Sequence, residues 1–287
     1  YAGLSAAMTL GRSLRKVLVI DSGKPCNATT PHSHNFLTQD AKPPAAISAI
    51  GRQQVEQYKT VQFYTGLATQ GIKTSSGFQI ITQADDTFKA PKLIFATGIA
   101  DKLPGIKGIA DCWGISVIHC PYCHGYEYHS MKTGILANGD AAFHYAQLVN
   151  NLTKELVIFT NGSATFTSQQ AEKLKKHNIT IIETGIASLE HEKGHIRSVV
   201  LNDGSQISLA AMYARVPFVQ HSGIPASLGC ELTEQGYIKV NELQKTTVPG
   251  IFACGDNSGF MRSVANAVAT GNFSGAVVNR ELTEEQF

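Results

Sequence analysis

Three features of the sequence predict an α/β protein built on strand–turn–helix units. A helix beginning at "YAGLSAA" leads into the short apolar run "KVLVIDSG". A strand, a tight polar turn, a helix and another strand follow one another in "KTGILANGDAAFHYAQLVNNLTKELVIFTNG". Late in the chain "TTVPGIFACGDNSG" repeats a strand that closes into a glycine turn ahead of a helix. Apolar runs of four to eight residues bounded by turns and alternating with helices are the pattern of buried parallel strands.

The chain has 287 residues, 43% of them hydrophobic, which at roughly 150 residues per domain is enough for about two packed cores. Twenty-four Lys and Arg stand against 22 Asp and Glu, with no basic run to neutralise a series of phosphates, so nucleic acid is not expected as a partner. No apolar run approaches the roughly 18 residues that cross a bilayer, and no membrane span is expected. Six cysteines, of which only Cys120 and Cys123 lie close together, are too few for a secreted disulfide scaffold. A reducing compartment, the cytoplasm, is the expected location.

Taken in order, the opening helix and the strand ending at Asp21 form half of a Rossmann-like βαβ unit. Such a unit places the last glycine of its phosphate turn at the helix start and an acid about 20 positions later, where it bonds a ribose hydroxyl. Gly3 and Asp21 have this spacing, and the first strand of such a unit would lie before Tyr1. An ordinary helix and strand would read the same way. "APKLIFATG" (90–98) reads as a buried strand closing into a glycine turn, followed by the "LPGIKG" loop and a domain boundary near Trp113. In the second unit the turn Ala137-x-Gly139-x-x-Ala142 keeps the middle glycine that lets a pyrophosphate approach the backbone. Its second strand ends in Thr160-Asn161-Gly162, which supplies neither an acid for a ribose diol nor a base for a 2′-phosphate. Nicotinamide binding is therefore doubtful at that turn. The late strand, Ile251 to Cys254, leads through Gly255-Asp256 to a helix from about Arg262. There Val264, Ala267, Val268 and Gly271 form a small apolar face suited to packing on a sheet or a cofactor.

Between these units lies "SVIHCPYCHGYEYHS" (116–130). Zinc would require four closed ligands, usually from two separated knuckles, and no second Cys or His pair is spaced to supply them. A purely structural disulfide over two intervening residues would close a loop too short to stabilise much. Redox exchange is favoured by the dinucleotide-type units on either side, since a bound cofactor could deliver electrons to the sulfurs. That chemistry needs one sulfur exposed to substrate and a nearby group to move a proton. His124, adjacent to Cys123, is the first candidate; His119, His129 and Glu127 are weaker ones. Cys112, Cys230 and Cys254 read as small apolar packing residues, and Cys26 as structural.

These stretches together, "YAGLSAA", "VLVID", "ATGIADKLPGIKG", "CPYC", "NGDAA" and "TTVPGIFACGD", resemble the low-molecular-weight thioredoxin reductases and related FAD-dependent pyridine nucleotide-disulfide oxidoreductases over essentially the whole chain. The resemblance implies two three-layer ββα Rossmann-like domains, the second inserted into the first: an FAD domain of residues 1–112 and 217–287, and an NAD(P)-binding-like domain of residues 113–216 that carries the cysteine pair. It implies a homodimer whose partner is a thioredoxin-like protein or a small-molecule dithiol or disulfide. By the same resemblance Cys123 faces the flavin, Cys120 engages the substrate disulfide, and Gly3, Asp21, Asn35, Gly98, Gly255 and Asp256 contact FAD. Arg262, Ser263 and Val264 stand at a helix N-terminus beneath the flavin ring, and Asn138, Gly139 and Asp140 form the second cofactor turn.

Three departures qualify the likeness. His124 stands where thioredoxin reductases typically carry an aspartate. The basic cluster that holds the NADPH phosphate is missing at Thr160-Asn161-Gly162. The "CPYCHGYE" and "FTNG" stretches look more like a subgroup that includes dithiol oxidases. The expected function is thus a thioredoxin reductase-like FAD enzyme with the use of NADPH or NADH left open. The alternatives are an oxygen-using oxidase of a small dithiol and a non-catalytic flavin-binding redox sensor.

Overall fold

The structure is a computed structural model describing residues 1–287. Contacts divide the chain into two compact units. One comprises Tyr1–Ala28, Phe36–Ala100 and Phe218–Phe287; the other comprises Thr29–Asn35 and Asp101–Pro217. The crossings differ from those expected at 112/113 and 216/217 because residues 101–112 pack with the second unit. The Lys102 N–H donates to the Pro217 carbonyl at 2.7 Å, and the Leu189 N–H donates to the Lys107 carbonyl at 2.9 Å. Ile109 and Cys112 are buried with Val157 and Leu189 in one apolar cluster. The excursion Thr29–Asn35 has its own cause, since Gly114 has no room for a side chain: a Cβ there would lie 2.5 Å from Thr29 Oγ1.

In the first unit the expected opening helix spans Ala2–Arg12 and the expected strand spans Val17–Asp21, which pairs in parallel with Val61–Thr65. Leu93–Phe95 and Ile251–Ala253 pair in parallel, and Ala68–Thr74, Gly77–Thr82 and Thr87–Ala90 form an antiparallel sheet. The period-two rule of strands sorts the core. Ile251 and Ala253 join Phe78, Ile80 and Phe95 on one side, whereas Phe252 joins Leu10, Val277 and Val278 on the other. The closing helix Val264–Gln286 lies against the opening helix through small residues: a Cβ on Gly271 would sit 2.1 Å from the Ala2 carbonyl oxygen.

The second unit is a five-stranded parallel sheet of Val117–Ile118, Thr133–Leu136, Leu156–Phe159, Thr180–Ile182 and Ala211–Ala214. All four residues of Leu156–Phe159 are buried, as expected of a strand covered on both faces. Leu156 and Ile158 pack with Ala142, Ala146 and Val149 of the helix Gly139–Val149. Val157 and Phe159 pack with Leu189, Ile196 and Val199 of the antiparallel meander Ile186–Glu192, His195–Leu201 and Gln206–Ser208. Helix, parallel sheet and meander are the three layers of the expected ββα arrangement. No helix is long and apolar enough to cross a membrane.

Because the Gly271 Cβ site is filled by backbone rather than by a movable side chain, Gly271→Ala should lower stability by about 1–3 kcal/mol despite the helical preference of alanine. Gly259→Ala, where nothing lies within 4 Å of the new methyl, should stay within about 0.5 kcal/mol of the parent. Denaturant unfolding of the two variants checks the difference.

Candidate active site

The cysteine turn is built by proline and glycine. Cys120 is extended (φ −125°, ψ 111°), and Pro121 supplies the fixed φ that starts a single helical turn, Pro121–His124. The N–H groups of Cys123 and His124 donate to the Cys120 carbonyl at 3.2 and 3.3 Å, folding the two sulfurs together in a disulfide with Cα atoms 5.3 Å apart. Gly125 then lets the turn press onto the sheet. A Cβ there would lie 2.3 Å from the Pro121 carbonyl oxygen and 2.9 Å from Tyr213 Oη. Tyr122 is left exposed beside the sulfurs.

His124 follows Cys123 directly, and both of its ring nitrogens are buried, with the backbone of His32 near the ring. Burial pushes its pKa down, and nearby His34 adds to that; Glu127 and the backbone of His32 act in the opposite sense. A ring in this setting is neutral near pH 7 and keeps one unprotonated nitrogen, the state required of a proton acceptor. The His34 ring meets that of His124 edge-on, with centroids 6.1 Å apart, and His34 Nδ1 lies 3.4 Å from Glu127 Oε1.

The other candidates around the turn divide clearly. His119 stacks on Trp113, and its carbonyl accepts a hydrogen bond from Tyr145 Oη at 2.7 Å, which makes it a packing element. His129 is exposed and stacks on Tyr126. Sequence reasoning missed His34, which lies 90 positions before His124 in a loop without periodic pattern; its only signal was a second histidine two residues earlier.

In the first unit, the expected flavin residues Gly3, Asp21, Gly98, Gly255, Asp256, Arg262, Ser263 and Val264 fall together, whereas Asn35 (φ 58°) belongs to the second. The helix Ala2–Arg12 has no acidic residue and no side-chain cap in its first turn, so its N–H groups suit an anion. Asp21 is exposed at the end of its strand, and its Oδ1 accepts from the Gly23 N–H at 2.9 Å. Gly98 and Gly255 have φ of 65° and 81°, and Gly255 N–H donates to Thr270 Oγ1 at 3.0 Å. Arg262 Nε lies 4.0 Å from Asp256 Oδ2, and Ser263 Oγ caps the closing helix by accepting from Asn266 N–H at 3.1 Å. This donor set fits the pyrophosphate and ribose of FAD, for which the first-turn amides and Asp21 would be the holding groups.

The second turn does not fit a nicotinamide dinucleotide in the same way. Asn138 Oδ1 accepts from Gly139 N–H at 2.8 Å and from Thr165 N–H at 2.9 Å, and Asn138 Nδ2 donates to the Ser163 carbonyl at 2.8 Å. A Cβ on Gly139 (φ 54°) would lie 2.7 Å from Thr165 Oγ1, so the 163–165 loop lies over the glycine. Asp140 accepts from Gln170 Nε2 at 2.7 Å, and Glu183 accepts from Ala164 N–H at 2.6 Å. The seat is thus filled by the chain's own hydrogen bonds and ringed by two carboxylates, unfavourable surroundings for phosphate.

The family model for the pyridine nucleotide-disulphide oxidoreductases matches residues 1–271, and the chain belongs to that family. Thioredoxin reductase tcpT of Claviceps purpurea is 31% identical over 98% of this chain and 91% of its own length. A structure of a putative thioredoxin reductase TrxB from Bacillus anthracis superposes with a TM-score of 0.94 at 30% identity, covering 100% of this chain and 97% of its own. An oxidoreductase from Agrobacterium tumefaciens superposes with a TM-score of 0.92 at 36% identity, covering 99% and 96%. The chain is accordingly an FAD-dependent disulfide oxidoreductase of the thioredoxin reductase type.

Because Asn138 both caps the helix Gly139–Val149 and ties down the covering loop, Asn138→Ala should cost about 1–2 kcal/mol of stability. Calorimetric unfolding of the second unit's transition checks this, and an unchanged midpoint would show that the turn is held by other contacts.

Proposed function

We propose that the protein passes electron pairs between bound FAD and a substrate disulfide through Cys120 and Cys123, with His124 moving the proton. The first unit holds the flavin, which supplies the two-electron redox chemistry. The observation that carries the reading is the disulfide followed directly by an imidazole whose ring nitrogens are buried and whose pKa burial pushes down.

In the reducing direction the Cys120 thiolate attacks a substrate disulfide. A Cys120–substrate bond forms, the substrate S–S bond breaks, and the departing thiolate takes a proton from protonated His124. The Cys123 thiolate then attacks Cys120 Sγ. This expels the second substrate sulfur as a thiolate, which takes its proton from water, and restores the protein disulfide, so that two electrons have passed to the substrate. The relatives' names point to a thioredoxin-like partner, and the exposed Tyr122 beside the pair suits docking of a protein or an apolar small molecule. A homodimer working in the cytoplasm completes the proposal.

A second reading is favoured by the filled turn at Asn138 and Thr165. In it the same sulfurs run in reverse: a small dithiol gives up its electrons and oxygen accepts them. Anaerobic mixing separates the two. Rapid flavin bleaching by NADPH supports the reductase direction, and bleaching by dithiol alone, with oxygen uptake afterwards, supports the oxidase. A chain that binds FAD yet bleaches with neither would be the redox sensor.

Cys123→Ser should retain bound flavin while lowering dithiol or disulfide turnover by about three orders of magnitude. Normal turnover in this variant would remove the pair from the mechanism.

A further inference from the structure

The redox turn does not hold its acid–base group alone. Residues 29–35 leave the first unit and pack in the second, seated where Gly114 (φ 81°) leaves space for Thr29 and Thr30. Ser33 is buried, and the segment brings His34 to the back of His124, with ring centroids 6.1 Å apart at 83°. Glu127, three residues beyond His124, lies against His34 at 3.4 Å. Elements far apart in the chain thus place two imidazoles and one carboxylate in a cluster beside the disulfide. The His32 ring stands 6.5 Å from that of His34, so the cluster is rich in imidazoles and holds one carboxylate.

We propose that His34, held by Glu127, is a positioning residue for the redox pair. It acts through His124 and keeps that ring in the uncharged form from which it accepts the proton of an incoming thiol. The inference rests on the acid–base role of His124 given above. In the step concerned, the thiol S–H bond breaks and its proton passes to the His124 ring. The resulting thiolate attacks Cys120 Sγ, forming a new S–S bond, and the Cys120–Cys123 bond breaks with its electron pair left on Cys123. His34 neither touches the sulfurs nor takes the proton. Its contribution is electrostatic: set edge-on to the His124 ring and 3.4 Å from Glu127, it opposes a positive charge on His124.

His34 and the backbone of His32 act on His124 from the 29–35 segment, and Glu127 from the turn that follows the redox helix; the His32 ring lies 6.5 Å from that of His34. Tyr128 and Tyr213 lie close to Glu127, with phenols pushed up by burial first and by Glu127 second, so they stay neutral across the range of interest. Cys120 and Cys123 do not titrate while joined.

The test is the acid limb of the pH–rate profile for dithiol oxidation, measured by anaerobic flavin bleaching. His34→Gln removes the neighbouring charge and should move the limb to higher pH by up to about one unit. His34→Arg fixes that charge and should move the limb to lower pH. Glu127→Gln removes the group that favours protonation and should also move it lower; because Glu127 is 36% exposed, this variant keeps the packing intact should those at His34 not fold. A merely structural His34 would lower rates without moving the limb in opposite directions, so limbs coinciding with the parent's would overturn the proposal. His124→Asn separates the two levels. Loss of the limb there with no movement in the His34 and Glu127 variants refutes only the role of His34, whereas a limb that survives His124→Asn refutes the acid–base reading itself.

Discussion

The redox chemistry of this chain depends on a close backbone contact. Gly125 carries the turn after the cysteines so near to the Pro121 carbonyl and the Tyr213 hydroxyl that no side chain fits between them. Tyr213 is fully buried in the strand Ala211–Ala214, so the turn rests on the least deformable part of the second unit. Sulfur exchange requires two atoms to alternate between bonded and non-bonded separations without losing their relative orientation. A turn pressed onto a close-packed sheet allows that alternation, while a free loop would dissipate it. The same contact sets the course of residues 126–128, and therefore the position of Glu127 relative to the buried ring of His124.

Burial of His124 has an energetic consequence as well as a catalytic one. Its folded pKa lies below the ordinary histidine value of 6.5, with desolvation the leading cause and His34 the second. Between the depressed folded value and 6.5 the unfolded chain binds the proton and the folded one does not. Stability therefore falls as pH drops through that window and is unaffected above it. The fold thus accepts some sensitivity to acid in order to keep a neutral base beside the sulfurs at neutral pH, a common compromise at sites where burial tunes a titrating group.

Much of the fold was legible because the signals were local. "KTGIL" and "ELVIF" are strands whose composition announces burial without reference to any partner, whereas "KVLVID" forms its strand but is only partly buried, with Leu18 exposed. The cysteine pair was equally readable, since its reach is fixed by four consecutive residues. His34 was not. Its meeting with His124 depends on the missing Cβ of Gly114, on a segment that packs away from its sequence neighbours, and on a side chain with no periodic environment. The shift of the crossing from Trp113 to Ala100 has the same origin, because the backbone hydrogen bonds of Lys102 to Pro217 and of Lys107 to Leu189 are not written in the loop that carries them.

The two dinucleotide-type turns show how far a shared local pattern can diverge once its surroundings are counted. In the first unit the opening helix presents first-turn N–H groups with no side-chain cap, and such groups must find an acceptor from water or from a ligand. In the second unit the first helical N–H, that of Gly139, is met internally. Asn138 and Thr165 satisfy one another and the glycine, and Glu183 holds the loop in place. A phosphate entering there would have to displace several hydrogen bonds already made and face two carboxylates, with no basic side chain at 160–162 to offset the cost. The difference lies in which polar groups at the helix start are capped by side chains. Anion binding by a helix start is therefore a property of the whole neighbourhood, and the two units differ there: the first helix has no side-chain cap, the second is capped by Asn138.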